Sequence, residues 1–164
     1  MERILLASRI GGSTLIELII VIAIIGILSS VAIPRYQQFV MKAKITDAIL
    51  SARRLKYAVI EYHAINGGFS GLPDDNNPNQ TLKLLGLSQN WFGNNSPSVK
   101  NMWWHTGSGQ VRISMTKASG LDGKRLILQS NFGNGQSSWS CGTTAAQKYQ
   151  IPLEYLPSNC QNFH

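Results

Sequence analysis

The most constraining feature of this chain is an uninterrupted apolar run near its N-terminus. From Leu18 to Pro34 the sequence reads LIIVIAIIGILSSVAIP and contains no charged residue. If residues Leu15 to Ile33 form a helix, that helix is about 28 Å long, which is close to the hydrocarbon thickness of a bilayer. The segment is therefore predicted to be a helix that can cross a membrane.

Three interpretations compete for this run: a secretory signal peptide, a membrane anchor and a buried core helix. A signal peptide is cut after its apolar region, at small residues. No Ala-x-Ala pattern follows directly after Pro34, whereas Arg3, Arg9 and the pair Gly11–Gly12 precede the run. Because Arg9 and Arg35 flank the segment on its two sides, charge does not fix its orientation.

Glu17 is an ionisable residue inside the otherwise apolar helix predicted from Leu15 to Ile33. An acidic side chain at the centre of a membrane helix costs roughly 2.5–3.5 kcal/mol, and less near an end, so a partner or a function is expected. A cut between Gly12 and Ser13 would create an ammonium group four residues before Glu17, able to neutralise a carboxylate of the same or a neighbouring chain. The alternative is that Glu17 simply reaches the lipid headgroups.

The segment Gly12–Glu17, followed by the apolar run with Gly26 and Pro34 and then by Tyr36, resembles the class III signal of type IV pilins and related pseudopilins. The resemblance covers about 25 residues. It implies cutting after Gly12 by a membrane aspartic prepilin peptidase, N-methylation of the new first residue, Ser13, and a role for Glu17, Gly26 and Pro34 in filament assembly. Most relatives begin the mature chain with Phe, so Ser13 departs from the family pattern.

After Pro34 the apolar pattern becomes periodic, which predicts an amphipathic helix as far as about His63, ended by Asn66–Gly68. The segment between Gly26 and Pro34 is predicted to kink or locally unwind, because proline removes a backbone donor and glycine is a poor helix former. The resemblance to type IV pilins implies that this segment melts in the assembled pilus. The periodic apolar residues are Ile45, Ala48, Ile49, Ala52, Leu55, Val59 and Tyr62.

The remainder of the chain predicts an α+β fold, in which a long N-terminal helix packs against a four-stranded antiparallel sheet, as in type IV pilins. A short helix is expected from Thr81 to Leu87, and Gly-rich turns separate the strands. The expected organisation is a leader at 1–12, a helix at 13–65 with its transmembrane and assembly part at 15–33, and a globular head at 66–164. The predicted strands are Val99–Trp104, Gln110–Met115, Arg125–Ser130 and Ser137–Cys141.

Cys141 and Cys160 both lie in the last 24 residues of a chain that looks exported. An oxidising compartment lets them pair, and closing such a loop stabilises a fold by roughly 3 kcal/mol; two buried free thiols are the alternative. The segment from Trp139 to Cys160 resembles the disulfide-bounded C-terminal loop of type IV pilins. Pseudopilins of type II secretion usually lack that loop, which favours a pilus.

Neither a catalytic set nor a metal or cofactor site is predicted. The three histidines, His63, His105 and His164, are isolated in the sequence, and there is no Cys-x-x-Cys or phosphate-binding Gly-rich loop. Asp74 and Asp75 stand in a turn-forming stretch and are interpreted as surface loop. An aromatic group near Lys100 could stack on bases or sugars, although core packing is the simpler interpretation. That group is Trp91, Phe92, Trp103 and Trp104.

The sequence therefore predicts a structural subunit of a type IV pilus, made in the bacterial inner membrane and then part of an extracellular filament, with roles in adhesion, twitching motility or DNA uptake. Expected partners are identical or related pilin subunits, the assembly machinery, the prepilin peptidase and membrane lipid, with DNA or a host surface as further candidates. The alternatives are a DNA-binding competence minor pilin, to which the net charge of +7 would contribute, and a type II secretion pseudopilin.

Overall fold

A computed structural model describes residues 12–73, 78–88, 96–133 and 136–160. Two consecutive helices form the first part: α1, Gly12–Ser51, and α2, Arg53–Asn66. Gly67 ends α2 in the left-handed conformation, with φ of 68°, and its N–H donates to the carbonyl of His63. The predicted stop at Asn66–Gly68 is confirmed. The chain divides after Gln37 into two compact units.

The predicted local unwinding between Gly26 and Pro34 is wrong for the single chain. Helix α1 runs through both residues without interruption. Pro34 deprives only the carbonyl of Ser30 of its helical donor, and one missing bond in a long helix does not end it. The interruption lies at Ala52, whose N–H is shared between the carbonyls of Ala48, at 3.3 Å, and Ile49, at 3.2 Å.

The head contains a four-stranded antiparallel sheet in which each strand pairs with the next along the chain. All four predicted strands are confirmed, and three of them extend further than the sequence indicated. The predicted hairpin turns at 106–109 and 119–123 lie between β1, β2 and β3. The strands are β1 (Val99–His105), β2 (Gln110–Met115), β3 (Arg125–Gly133) and β4 (Gln136–Thr143).

A short helix, α3, precedes the sheet at Pro78–Leu84. It begins three residues before the predicted start because Pro78 suits a first helical position, where its missing N–H would have no partner. Gly86, with φ of 69°, follows its end. The turn-forming residues just before this helix, Asp74 to Asn77, made its start hard to predict, and they lie outside the described part of the chain.

One face of the long helix packs on one face of the sheet and forms the core of the head. The helix contributes Leu55 and Val59 together with two alanines, Ala48 and Ala52, all fully buried. Small residues at this contact let the helix axis approach the sheet closely. From the sheet come alternate residues of β1, β2 and β3, as a half-buried antiparallel sheet requires. These are Met102, Trp104, Val111, Ile113, Met115, Leu126 and Leu128.

Polar side chains at the margins of this contact fix the helix to the loops around the sheet. Lys44 Nζ donates to the carbonyls of Ala118, at 3.3 Å, and Ser119, at 3.2 Å. Ser96 Oγ donates to Asp47 Oδ2 at 2.5 Å. Lys44 and Asp47 on the helix therefore hydrogen-bond to the loops of the head, beside the apolar stripe that the sequence predicted.

The C-terminal segment is closed by a disulfide between Cys141, on β4, and Cys160. Ile151 and Leu156, inside this loop, are fully buried and add to the core. Thr143 joins the loop to the sheet: its hydroxyl donates to the carbonyl of Arg125, at 3.1 Å, and accepts from the N–H of Ile151, at 2.8 Å. The predicted disulfide-bounded loop is thus a packed part of the head.

The Thr143 hydroxyl predicts a difference between two neighbouring threonines. Thr143→Val leaves the buried Ile151 N–H without its acceptor and should lower the free energy of unfolding by about 1–3 kcal/mol. Thr144→Val removes only an exposed bond to the N–H of Ala146, so its effect should stay within about 0.5 kcal/mol. Denaturant unfolding of the full chain in detergent, followed by tryptophan fluorescence, measures both; equal effects would contradict the bridging role.

Candidate functional site

The apolar segment of α1 has no protein surface covering it in the single chain. Every large hydrophobic side chain from Leu15 to Ile33 is exposed, from 51% at Val21 to 69% at Ile27. The long helix is the one helix of the described chain that is long and apolar enough to cross a membrane, with a mean hydropathy of 2.8 over its most apolar window. Because burying one such side chain contributes about 1.5–3 kcal/mol, lipid or other protein must cover this segment.

The site residues predicted from the sequence lie along this segment. Glu17 is exposed, one helical turn after Ser13, whose side chain is outside the described atoms. A Cβ built on Gly26 meets no atom within 4 Å, so packing inside its own chain does not require glycine there. Cleavage, methylation and the assembly roles of Glu17, Gly26 and Pro34 stay predictions.

The face of the sheet that points away from the helix is basic and aromatic. The guanidinium of Arg125 lies 4.0 Å from the ring centroid of Tyr149 and 5.8 Å from that of Trp103, distances typical of cation–π contacts. Arg112 pairs with Trp103 across β1 and β2. Among the residues of the four described strands there are cations, including Lys100, and no aspartate or glutamate.

The aromatic group predicted from the sequence does not come together as one surface. Trp104 is buried in the core, where it contacts Phe69 and Trp139. Trp103, its neighbour in β1, lies half-buried on the opposite face, and Trp91 and Phe92 are outside the described residues. The sequence did not indicate that Arg125 meets Tyr149, since the two are far apart along the chain and neither lies in a motif.

The histidines and acids show no catalytic or metal-binding arrangement in the described part of the chain. His63 stacks on Phe132 with ring centroids 4.3 Å apart, and His105 Nδ1 accepts from the N–H of Ser108 at 3.2 Å. No group of three potential metal ligands occurs among the described residues; His164, Asp74 and Asp75 lie outside them. Both described histidines therefore have structural contacts.

Lys56 is the titratable residue with the clearest perturbation. Its ammonium lies 4.9 Å from the ring centroid of Trp139. Burial lowers the pKa of Lys56 below its ordinary value, and the nearby charge of Arg53 lowers it further. Lys56 borders the core of the head, and packing beside Trp139 accounts for the direction of this pKa shift.

Comparison with known proteins matches both parts of the chain. The family described as pilin (bacterial filament) matches residues 41–161, and the prokaryotic N-terminal methylation motif matches residues 7–33. This chain belongs to the pilin family. The pilin is 36% identical to the fimbrial protein EcpC of Eikenella corrodens, with 92% of this chain and 90% of that protein covered.

Two further relatives are named as a major and a minor filament subunit. A type IV major pilin protein PilE1 of Neisseria gonorrhoeae is 33% identical, with 92% of this pilin and 93% of the relative covered. A probable minor fimbrial protein of Dichelobacter nodosus is 31% identical, with 94% and 96% covered. The long helix, the four-stranded sheet and the disulfide fit the type IV pilin fold. By its family the chain is a structural protein of bacterial filaments and not an enzyme.

Proposed function

We propose that this pilin is made as an inner-membrane precursor, is cut after Gly12 by a prepilin peptidase that then methylates Ser13, and polymerises into an extracellular type IV pilus. The observation that carries the proposal is the apolar segment of α1, whose large hydrophobic side chains are all exposed in the single chain. The match of residues 7–33 to the N-terminal methylation motif supports the processing step.

The proposed mechanism is an exchange of lipid for protein around the same helix. Before assembly the segment 15–33 lies in the bilayer, where all its backbone polar groups are satisfied within the helix. During assembly, driven by the membrane machinery, identical helices replace lipid. Glu17 then pairs with the ammonium of Ser13 on an adjacent subunit, because each charge would otherwise be buried without a counter-ion.

The direct test is a preparation of filaments sheared from cells that produce the chain. Thin filaments should appear in electron micrographs, this pilin should be their main protein, and both should be missing from cells that lack it. Filaments of unchanged amount and composition without this chain would rule it out as their structural subunit.

The pseudopilin alternative receives less support than the pilus. Unpaired cysteines in native material would favour a type II secretion pseudopilin, whereas Cys141 and Cys160 are bonded in the folded head and Cys160 is fully buried. Pseudopilins of type II secretion usually lack a disulfide-bounded loop of this kind. We therefore place the filament outside the cell, where adhesion and twitching motility are its expected roles.

A second candidate function is DNA capture by the assembled filament. Its support is the sheet face described above, where Arg112 and Arg125 lie among aromatic rings and no acidic residue interrupts the described strands. Lys148, in the disulfide-bounded loop, has its ammonium 5.5 Å from the ring centroid of Tyr149 and adds to this basic region. A basic surface binds the phosphate backbone by releasing its counter-ions.

Sheared filaments should then retard DNA in a salt-dependent manner. The double variant Lys100→Gln/Lys148→Gln should reduce the slope of log K against log salt concentration by about two, one unit for each lost phosphate contact. Lys83→Gln, in α3, is the matched control and should leave the slope unchanged. Filaments that show no salt-dependent retardation would exclude this second function.

A further inference from the structure

Arg125 is a half-buried cation whose guanidinium forms no hydrogen bond and no ion pair within the described part of the chain. It lies 4.0 Å from the ring centroid of Tyr149, a distance at which a guanidinium stacks on an aromatic ring. Stacking uses a flat face of the guanidinium and leaves the N–H donors at its edge. Those donors form a planar fork that matches the oxygens of a phosphate or carboxylate group.

Two lysines lie beside this stacked pair. Lys148, next to Tyr149 in the chain, has its ammonium 5.5 Å from the same ring centroid. Lys124, next to Arg125, donates from Nζ to the carbonyl of Lys148 at 3.3 Å, which brings its ammonium to the same place. None of the three cations forms an ion pair with any residue that the structure describes. A cluster of one sign without a counter-charge raises the local concentration of anions.

The Thr143 hydroxyl fixes the loop that carries Tyr149 to the backbone of Arg125 itself. It donates to the carbonyl of Arg125 at 3.1 Å and accepts from the N–H of Ile151 at 2.8 Å. The N–H of Tyr149 donates to the carbonyl of Ala146 at 2.9 Å, within a single turn of 3-10 helix. Hydrogen-bonded backbone therefore holds the ring against the guanidinium before any ligand binds, which lowers the entropy cost of binding.

We propose that Arg125, Lys124 and Lys148 form a phosphate-binding site around Tyr149, at which the filament holds the backbone of DNA. Tyr149 is a positioning residue that orients the guanidinium and contacts no base. Trp103, the other ring near this cluster, also faces the guanidinium, at 5.8 Å. The proposal rests on the second candidate function and names the groups that recognise the ligand. Phosphate contacts carry no sequence information, so the site is expected to disregard base identity.

A phosphate-binding site also predicts which form of DNA binds better. Duplex DNA releases more counter-ions for each phosphate contact than a single strand does. If the rings stacked on bases, the preference would be reversed, because the bases of a single strand are accessible and those of a duplex are not. The filament is therefore expected to bind a duplex at least as tightly as a single strand of the same length, whatever its base composition.

Arg125→Lys tests the planar fork while the charge is unchanged. In retardation assays with equal amounts of sheared filament, its affinity for duplex DNA should fall at least about fivefold, because the ammonium of lysine neither stacks on Tyr149 nor binds two oxygens side by side. The slope of log K against log salt concentration should stay the same, since the number of charges is the same. Arg54→Lys, exposed on α2, is the matched control and should bind like the unaltered filament.

A second pair of variants tests the positioning residue. Tyr149→Leu should lower the affinity for duplex DNA by a similar factor although it removes no charge, whereas Tyr149→Phe keeps the ring and should retain the affinity. Filament yield and the Cys141–Cys160 disulfide, measured in the same preparations, show that each variant folds. Equal affinities of the Leu and Phe variants would contradict the positioning role of Tyr149.

The same assays separate failure of the site from failure of the DNA function. Unaltered affinity in Arg125→Lys, or tighter binding of a single strand than of a duplex, would overturn the phosphate-binding site and leave DNA capture by the filament in place. Unaltered filaments that show no salt-dependent retardation would exclude the DNA function, and the site with it.

Discussion

Glu17→Gln is expected to leave removal of the leader unchanged and to lower the yield of filament by roughly a hundredfold or more. The substitution keeps the size and hydrogen-bonding groups of the side chain and removes its charge. The ammonium of Ser13 on the adjacent subunit would then be buried without a counter-ion. Removing one partner of a buried pair costs about 3–5 kcal/mol, which corresponds to two or more orders of magnitude in subunit affinity.

The measurement is the amount of sheared filament relative to the amount of processed subunit in the membrane. Glu17→Asp retains the charge on a shorter side chain and should keep part of the filament yield. It is the control that separates the effect of the charge from the effect of the side chain's shape. Wild-type yield in Glu17→Gln would show that the carboxylate needs no partner in the polymer. The interpretation that Glu17 merely reaches the lipid headgroups would then be the better one.

Gly12→Val is expected to abolish processing and, with it, the filament. The resemblance to class III signals places the cut after Gly12, and a branched side chain beside the scissile bond should not fit a peptidase site that accepts glycine. In the uncut chain the nitrogen of Ser13 stays an amide without charge. Glu17 therefore has no ammonium to pair with, and the leader with its basic residues Arg3 and Arg9 stays attached.

Gly11→Val is the matched control, because it makes the same change one residue further from the cut. Immunoblots should show the longer precursor for Gly12→Val and the mature subunit for Gly11→Val, and only the second variant should form filaments. A Gly12→Val chain that is processed normally would place the cut elsewhere, and the pairing of Glu17 with the Ser13 amine would lose its basis.

The sequence predicted those parts of the fold that depend on local patterns. Alternation fixed β2 at Gln110–Met115 with the bounds that the structure shows. The glycines after Asn66 stop the long helix because one of them adopts the left-handed conformation. The pairing of Cys141 with Cys160 followed from export, and it needed no knowledge of the contacts around it.

The parts that the sequence missed depend on contacts between distant residues or on the length of the helix. Strand β3 extends to Gly133, and near this end Phe132 packs on His63 and Phe69. No local sequence pattern predicts that aromatic cluster. Tyr149 meets Arg125 only because the disulfide-bounded loop folds back towards β3. Pro34 on its own predicts a break in the helix. The helix nevertheless continues, because α1 has many hydrogen-bonded turns on both sides of Pro34.

The most direct test of the central claim is mass spectrometry of the subunit in sheared filaments, reading both its first residue and the state of its cysteines. We expect a chain that begins at Ser13, carries a methyl group on its terminal nitrogen and contains the Cys141–Cys160 disulfide. Filament subunits that retain Met1, or that begin beyond Pro34, would contradict the claim that a charged terminus on the apolar helix joins one subunit to the next.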